Sequence, residues 1–303
     1  MGKRYRIEDK LGTGRAGAVY AAHDTELNRV VAFRRFDTSE ENFHDEDWLN
    51  RFNDVVSDLS RITHANILSV LDAGVDDEGP FVVTAHVEGL RLSQILKREG
   101  EMSLAEVYSL TEQCLNALQA AEEYGYYHHA LCPSSIIGTP KASGGYHYTL
   151  MDLGHSKLIP LVAGGDTFAL SKTLDPALMA PELFEGKPNG IRSSLYMLGQ
   201  LIYWVVAGGH PLAGLPLELA HAKHQAGEIP YLKAFRSNLP EAFRKWIYWL
   251  IQSNPDLRPV SVMDAIKKLP SFKDATTEPV LPQPIRFNAE GLSPNYSPPK
   301  ESE

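Results

Sequence analysis

Gly12, Gly14 and Gly17, with Val19 behind them, form a Gly-x-Gly-x-x-Gly-x-Val run, and this spacing is the part of the chain that most directly suggests chemistry. Glycine lets two strands turn tightly and lets backbone N–H groups approach a phosphate with no Cβ in the way. Dinucleotide-binding folds use the same spacing, but there the loop opens a helix. Here β-type residues follow instead, Val19-Tyr20-Ala21-Ala22 and then Val30-Val31-Ala32-Phe33-Arg34. Two other groups are of a reactive type. His128 and His129 could ligate a metal, but adjacent side chains on a loop diverge and no Cys or carboxylate stands at a familiar ligand spacing, so a packed His128 is expected. Cys132 becomes a reactive thiol only beside a cation that lowers its pKa. A passive, partly buried Cys132 is the reading adopted, and Cys114, in helical register with Leu110 and Leu118, belongs to the core.

The elements that position these residues can be read from periodicity. Strands are expected over 5–37, a solvated acidic loop over 39–47, and a helix over 48–62 with Phe52, Val55, Val56 and Leu59 on one face. Further strands are expected over 67–71 and 81–87, with turn chemistry over 75–80 between them. A helix over 103–124 opens on a Ser103-x-x-Glu106 capping box. A strand-and-loop stretch over 131–185 precedes helices over 193–207, 216–226, 241–253 and 261–268, with Pro216 suited to a first helical turn. Strands thus dominate the first third and helices the remainder. That segregation predicts an α+β, bilobal fold, with a small β-rich lobe over about 5–87 and a larger helical lobe over about 88–270, meeting near 87–89. The Pro-, Ser-, Glu- and Asn-rich segment 271–303 reads as a disordered tail. Its Pro279-Val280-Leu281-Pro282 could serve recognition, and a plain terminus is preferred.

Bulk composition limits the partners. The 303 residues carry a net charge of −9, which opposes non-specific binding to DNA, RNA or an anionic membrane face. Two cysteines cannot form a disulfide framework, so a reducing interior is the simpler setting. The first residues carry no apolar run of a secretory signal, and Arg6 stands where a myristoylation signal wants Ser or Thr. The most apolar run, 195–207, is too short to span a bilayer. A cytoplasmic protein with no membrane span and no nucleic-acid ligand is expected.

With the glycine loop and the Val31-Ala32-Phe33-Arg34 strand as its start, the chain resembles the protein kinases, in particular the bacterial relatives of eukaryotic Ser/Thr kinases. Arg61-Ile62-Thr63-His64-Ala65-Asn66-Ile67 looks like the exit of the small-lobe helix, and Phe81 to Gly89 like the fifth strand and hinge. Asp152-Leu153-Gly154 resembles the metal-binding Asp-Phe-Gly, and Ala180-Pro181-Glu182 the end of the activation segment. Tyr196-Met197-Leu198-Gly199 resembles the core helix, and Pro255-Asp256-Leu257-Arg258-Pro259 the loop before the last helix. The resemblance covers about 5–270. It implies ATP and Mg²⁺ as cofactors. It places Gly12, Gly14, Gly17, Val19, Ala32, Arg34, Ala85 and Val87 around a nucleotide, Asp152 on a metal, and Glu182 and Arg258 in a buried structural pair.

The catalytic loop departs from the family pattern. His128-His129-Ala130-Leu131-Cys132-Pro133-Ser134-Ser135 stands where the resemblance implies His-Arg-Asp-x-Lys-x-x-Asn. Ala130 cannot accept a proton, and losing a positioned base costs about 10²–10⁴ in rate. Cys132 replaces the cation, Ser135 the second metal ligand, and Ser194 the aspartate that anchors the loop. Arg34 replaces the strand lysine, and both a phosphate contact and an inward-blocking guanidinium stay open for it. Its glutamate partner falls near Val55, with Asp54 rotated about 100° away, so the ion pair is expected to be missing. Thr167, Ser171 and Thr173 lie on the activation segment, but His129 replaces the arginine that would read a phosphate there. The expectation is a catalytically impaired homologue acting as a signalling scaffold or binding module with a protein partner. The alternative is an unconventional ATP-dependent kinase or nucleotide transferase that uses Asp152 and the glycine loop.

Overall fold

A computed structural model describes residues 4–14, 17–37, 43, 45–163, 174–187 and 190–272. The small lobe is a five-stranded antiparallel sheet built from β1 (Tyr5–Gly14), β2 (Gly17–Asp24), β3 (Arg29–Arg35), β4 (Val70–Asp76) and β5 (Gly79–Ala85), in the order β1-β2-β3-β5-β4. Alternation along β3 sends Val31 and Phe33 to one face, where they bury with Tyr5, Ala22 and Val83. The other face carries Ala32 and Arg34 toward the cleft. Gly17 has φ of 118°, and a Cβ there would fall on the Arg35 carbonyl oxygen, so only glycine fits.

Helix α1 (Glu46–Arg61) packs on the sheet with Trp48, Phe52, Val56 and Leu59 buried, a spacing of four, four and three. Asp45 caps it, accepting from the N–H groups of Asp47 and Trp48. The strand expected over 67–71 lies further on, at Val70–Asp76. Ile67 makes an isolated bridge to Leu150, and the turn expected over 75–80 narrows to Asp77 and Glu78, closed by Gly79 at φ of 117°. Most of the acidic loop expected over 39–47 lies outside the described residues, as do all but two residues of the expected tail.

Some elements were not expected. Helix α2 (Leu92–Glu99) follows β6 (Leu90–Arg91), and helix α4 (His155–Val162) begins directly after Gly154 and packs on α1. Strands β6, β7 (Ile136–Pro140) and β8 (Tyr146–Leu150) form a second sheet on the other wall of the cleft. Helix α3 (Leu104–Glu122) is capped by the Ser103 hydroxyl, which accepts from Glu106 N–H, but the capping box is only half formed. The Glu106 carboxylate instead accepts from Tyr146 N–H and the Tyr148 hydroxyl. After a single turn, α5 (Pro181–Phe184), the large lobe centres on α6 (Gly190–Ala207), which is buried along nearly its whole length. Around it lie α3, α7 (Leu217–Ala226), α8 (Glu241–Leu250) and α9 (Val262–Lys267). Pro216 stands one position before α7, as its cap. Cys114 is fully buried on α3, and burial pushes its thiol up to about 12. Among the described residues no helix is long and apolar enough to cross a membrane.

Candidate functional site

Between the sheets lie two adjoining cavities, of about 310 and 850 Å³. The smaller is an apolar slot. Val19 and Ala32 come from β2 and β3, Ile137 and Met151 from the opposite wall, Ala85 from the end of β5 and Val87 from the connection between the lobes. Its volume falls in the range of small-molecule sites. Five of the eight residues expected around a nucleotide line it: Val19, Ala32, Arg34, Ala85 and Val87. Gly12 lines the larger cavity, while Gly14 pairs with Gly17 where β1 turns into β2.

Arg34 follows Ala32 on the same face of β3, so one strand supplies a small side chain to the slot and a guanidinium beyond it. That guanidinium turns inward: Arg34 Nη2 lies 2.5 Å from Asp152 Oδ1. His155 Nε2 lies 3.4 Å from the same oxygen. Burial pushes the Asp152 carboxyl up, and the Arg34 charge overcomes this and holds it near about 2, so it is ionised. Burial lowers His155 to about 4, so its ring is neutral at pH 7. Asp152 has φ of 63°, in the left-handed region, and Gly154 at 89° would drive any side chain into Leu59 of α1. Helix α1 offers Arg34 no carboxylate: Asp54 is exposed, and Val55 packs against the core.

The loop from Tyr126 to Ser135 is held by its own polar groups. His128 Nε2 donates to Met151 O at 2.6 Å, and its Nδ1 accepts from Ala130 N–H at 3.3 Å, so both ring nitrogens are engaged. His129 donates from Nε2 to Gly190 O at 2.8 Å. The two rings are therefore bound to different elements, and among the described residues no group of three His, Cys, Asp or Glu could hold a metal. Ala130 and Cys132 line the larger cavity. Burial raises the Cys132 thiol, which keeps it protonated. The Ser135 hydroxyl donates to Cys132 O and accepts from Cys132 N–H, each at 3.0 Å.

This donor set is poorly suited to Mg²⁺. Magnesium is usually held by one or two carboxylates together with phosphates. Here the one carboxylate already carries a guanidinium, and the hydroxyl's proton and one lone pair are spent within its own turn. A divalent ion about 5 Å from Arg34 would meet a repulsion on the order of several kcal/mol at an effective dielectric of about 20.

The support beneath the loop divides in two. Ser194, on α6, is fully buried and its Oγ has no hydrogen-bond partner among the described residues. Glu182 and Arg258 form a forked pair, Nη1–Oε1 at 2.6 Å and Nη2–Oε2 at 2.9 Å, and Ser193 Oγ donates to Glu182 at 2.6 Å. Thr167, Ser171 and Thr173 lie outside the described residues. Sequence reasoning missed two cleft residues, His155 and Arg91. Arg91 lines both cavities and donates from Nη1 to Ser134 O at 2.8 Å. No local motif marks it, because the Ser134 carbonyl it binds lies 43 positions away.

The profile of the protein kinase domain matches residues 5–270. The serine/threonine-protein kinase PkaA of Streptomyces coelicolor is 30% identical over 273 residues, covering 86% of this chain and 48% of its own length. The serine/threonine-protein kinase pkn3 of Myxococcus xanthus is 28% identical over 263 residues, with 85% and 48% covered. The chain thus spans about half the length of these curated relatives. A crystal structure of the Mycobacterium tuberculosis PknI kinase domain superposes with a TM-score of 0.66 at 21% identity, covering 87% of this chain and 93% of that one.

Proposed function

The chain belongs to the protein kinase family, and from that premise we propose that it is a non-catalytic member, a signalling scaffold or regulatory binding module whose cleft holds a nucleotide without transferring its phosphate. The observation that carries this reading is Ala130. It stands where the family's catalytic carboxylate would receive a hydroxyl proton, and its methyl group lines the larger cavity. Phosphoryl transfer is mainly positioning and charge neutralisation. Here the position of the neighbouring cation holds a neutral thiol, and Asp152 is occupied by Arg34. The apolar slot fits a planar heteroaromatic base, and no hydrogen bond within the chain takes the Val87 N–H among the described residues. When bound, a nucleoside triphosphate would supply a transferable phosphoryl group. What the chain's own residues do is bind and orient it.

Purified protein incubated with ATP and Mg²⁺ or Mn²⁺, alone and with generic protein substrates, is expected to show no added phosphate or AMP by mass spectrometry. ATP at about a hundred times Kd is expected to stabilise the fold by about 2.7 kcal/mol. Transfer that disappears in Asp152→Ala would overturn the non-catalytic reading. The second reading, an active Ser/Thr kinase of unconventional chemistry, is favoured by the names of the relatives and by the retained Asp152 and glycine loop. The same assay decides between the two.

A further inference from the structure

Six residues line both cavities: Leu11, Val19, Arg34, Arg91, Asp152 and His155. They mark where the slot opens toward the loop, the place a phosphate chain would occupy if a base filled the slot. Two guanidiniums and one carboxylate meet there, so the permanently charged cations outnumber the carboxylate. Glu88 lines only the smaller cavity and Asp175 only the larger. Resting on the nucleotide reading above, we propose that this cleft binds nucleotide phosphates without a divalent cation, with Arg34 and Arg91 as its fixed positive charges.

Arg34 holds Asp152 through one N–H, and a guanidinium has five, so four remain for a ligand. Arg91 has no carboxylate partner among the described residues. Its Nη1 is anchored on Ser134 O, and its Nη2 lies beneath the glycine loop, 3.5 Å from where a Cβ on Gly12 would sit. Arg91 therefore crosses the cleft mouth from the second sheet to the loop. Guanidiniums recognise phosphate in a forked geometry, which makes two of them an adequate substitute for a bridging ion. The groups that would hold that ion are already engaged: Asp152 by Arg34, and the Ser135 hydroxyl by Cys132.

Calorimetric titration of the full chain with ATP, ADP and adenosine, in EDTA and in Mg²⁺, tests this. ATP Kd values are expected to agree within about twofold between the two buffers. Arg91→Gln is expected to weaken ATP in EDTA by about tenfold or more, the scale of one charged hydrogen bond, and to leave adenosine unchanged. The α2 cap survives that substitution, because Gln94 accepts from the backbone N–H of residue 91. The buffer comparison needs no variant. ATP binding that weakens tenfold or more in EDTA overturns this inference and leaves the nucleotide reading standing. Unchanged ATP affinity in a folded Arg91→Gln overturns the role of Arg91. No binding of ATP, ADP or adenosine in either buffer overturns both.

Discussion

Replacing Arg258 by Met removes five hydrogen bonds from a site with no access to water. The wild-type side chain is 0% exposed. It donates from Nη1 and Nη2 to the two Glu182 oxygens, from Nε to Gln252 O at 2.7 Å, from Nη1 to Arg192 O at 3.1 Å and from Nη2 to Ser253 O at 3.0 Å. Its guanidinium also lies 4.5 Å from the Tyr196 ring centroid. Methionine keeps much of the stem and none of the donors. It leaves a carboxylate whose side chain is only 11% exposed and three carbonyls without this partner. Breaking a buried pair from one side costs about 3–5 kcal/mol, which at about 2–4 °C per kcal/mol lowers Tm by roughly 6–20 °C. The pH dependence carries a second test. Burial pushes Glu182 up, and in the wild type the bonds and charge of Arg258 overcome this and hold it below the ordinary carboxylate value. Without Arg258 the upward push of burial is opposed only by Ser193 and a backbone N–H, so the folded pKa rises from its wild-type position. The variant's penalty relative to wild type is then largest at high pH and shrinks as pH falls toward that raised value. Urea midpoints of both proteins at pH 8 and pH 5.5 measure this; His224 also loses the Arg258 charge that lowers it, which shrinks the penalty at low pH in the same direction. A penalty under about 1 kcal/mol, or one equal at both pH values, would refute the reasoning.

Ser194→Ala is expected to leave the unfolding free energy from urea titration unchanged or raise it by up to about 1 kcal/mol, because it removes a buried hydroxyl with no partner among the described residues; a clear loss of stability would reveal a contact that the hydroxyl makes in solution. Acid should destabilise the fold early. Burial lowers His128, His155 and His224 to about 4, below an unfolded value near 6.5, so the unfolded chain binds more protons between those limits. Their contribution is complete above about pH 6.5 and is lost as pH falls toward 4, by about 3 kcal/mol in the first unit; midpoints that stay flat from pH 6.5 to 5.5 would contradict this.

Much of the fold was legible because hydrophobic spacing is local. Phe52, Val56 and Leu59 announce α1, and the apolar run that ends at Ala207 announces the buried α6. The misses have physical causes. The β4 strand is displaced because its turn is a two-residue one closed by Gly79, and Leu71, the last residue of the expected strand, is 36% exposed. Helix α2 buries only Leu92 and Ile95 and has Arg91 at its cap position, so it lacks both a long apolar stripe and a Ser, Thr, Asp or Asn start signal. Helix α4 contains Pro160, which argues against a helix when read alone. At the site, residue types were readable and pairings were not. Arg34 and Asp152 are 118 positions apart, and whether the guanidinium meets phosphate or carboxylate depends on how close the two walls of the cleft stand.

That pairing also bears on how the chain could signal. In a cleft whose carboxylate waits for a metal, nucleotide and ion arrive together. Here α1 supplies no carboxylate to Arg34, so β3 is tied to the large lobe through Asp152, and Arg91 ties the hinge side to the loop at Ser134. Both guanidiniums border the region where phosphates would lie. A nucleotide that draws on Arg34 changes what joins the lobes, with no bond broken in the ligand. Glu182 and Arg258 meanwhile form a buried pair within the large lobe. A molecule arranged this way can report occupancy to a partner through the disposition of its lobes. Such a role requires no residue with the chemistry that Ala130 lacks.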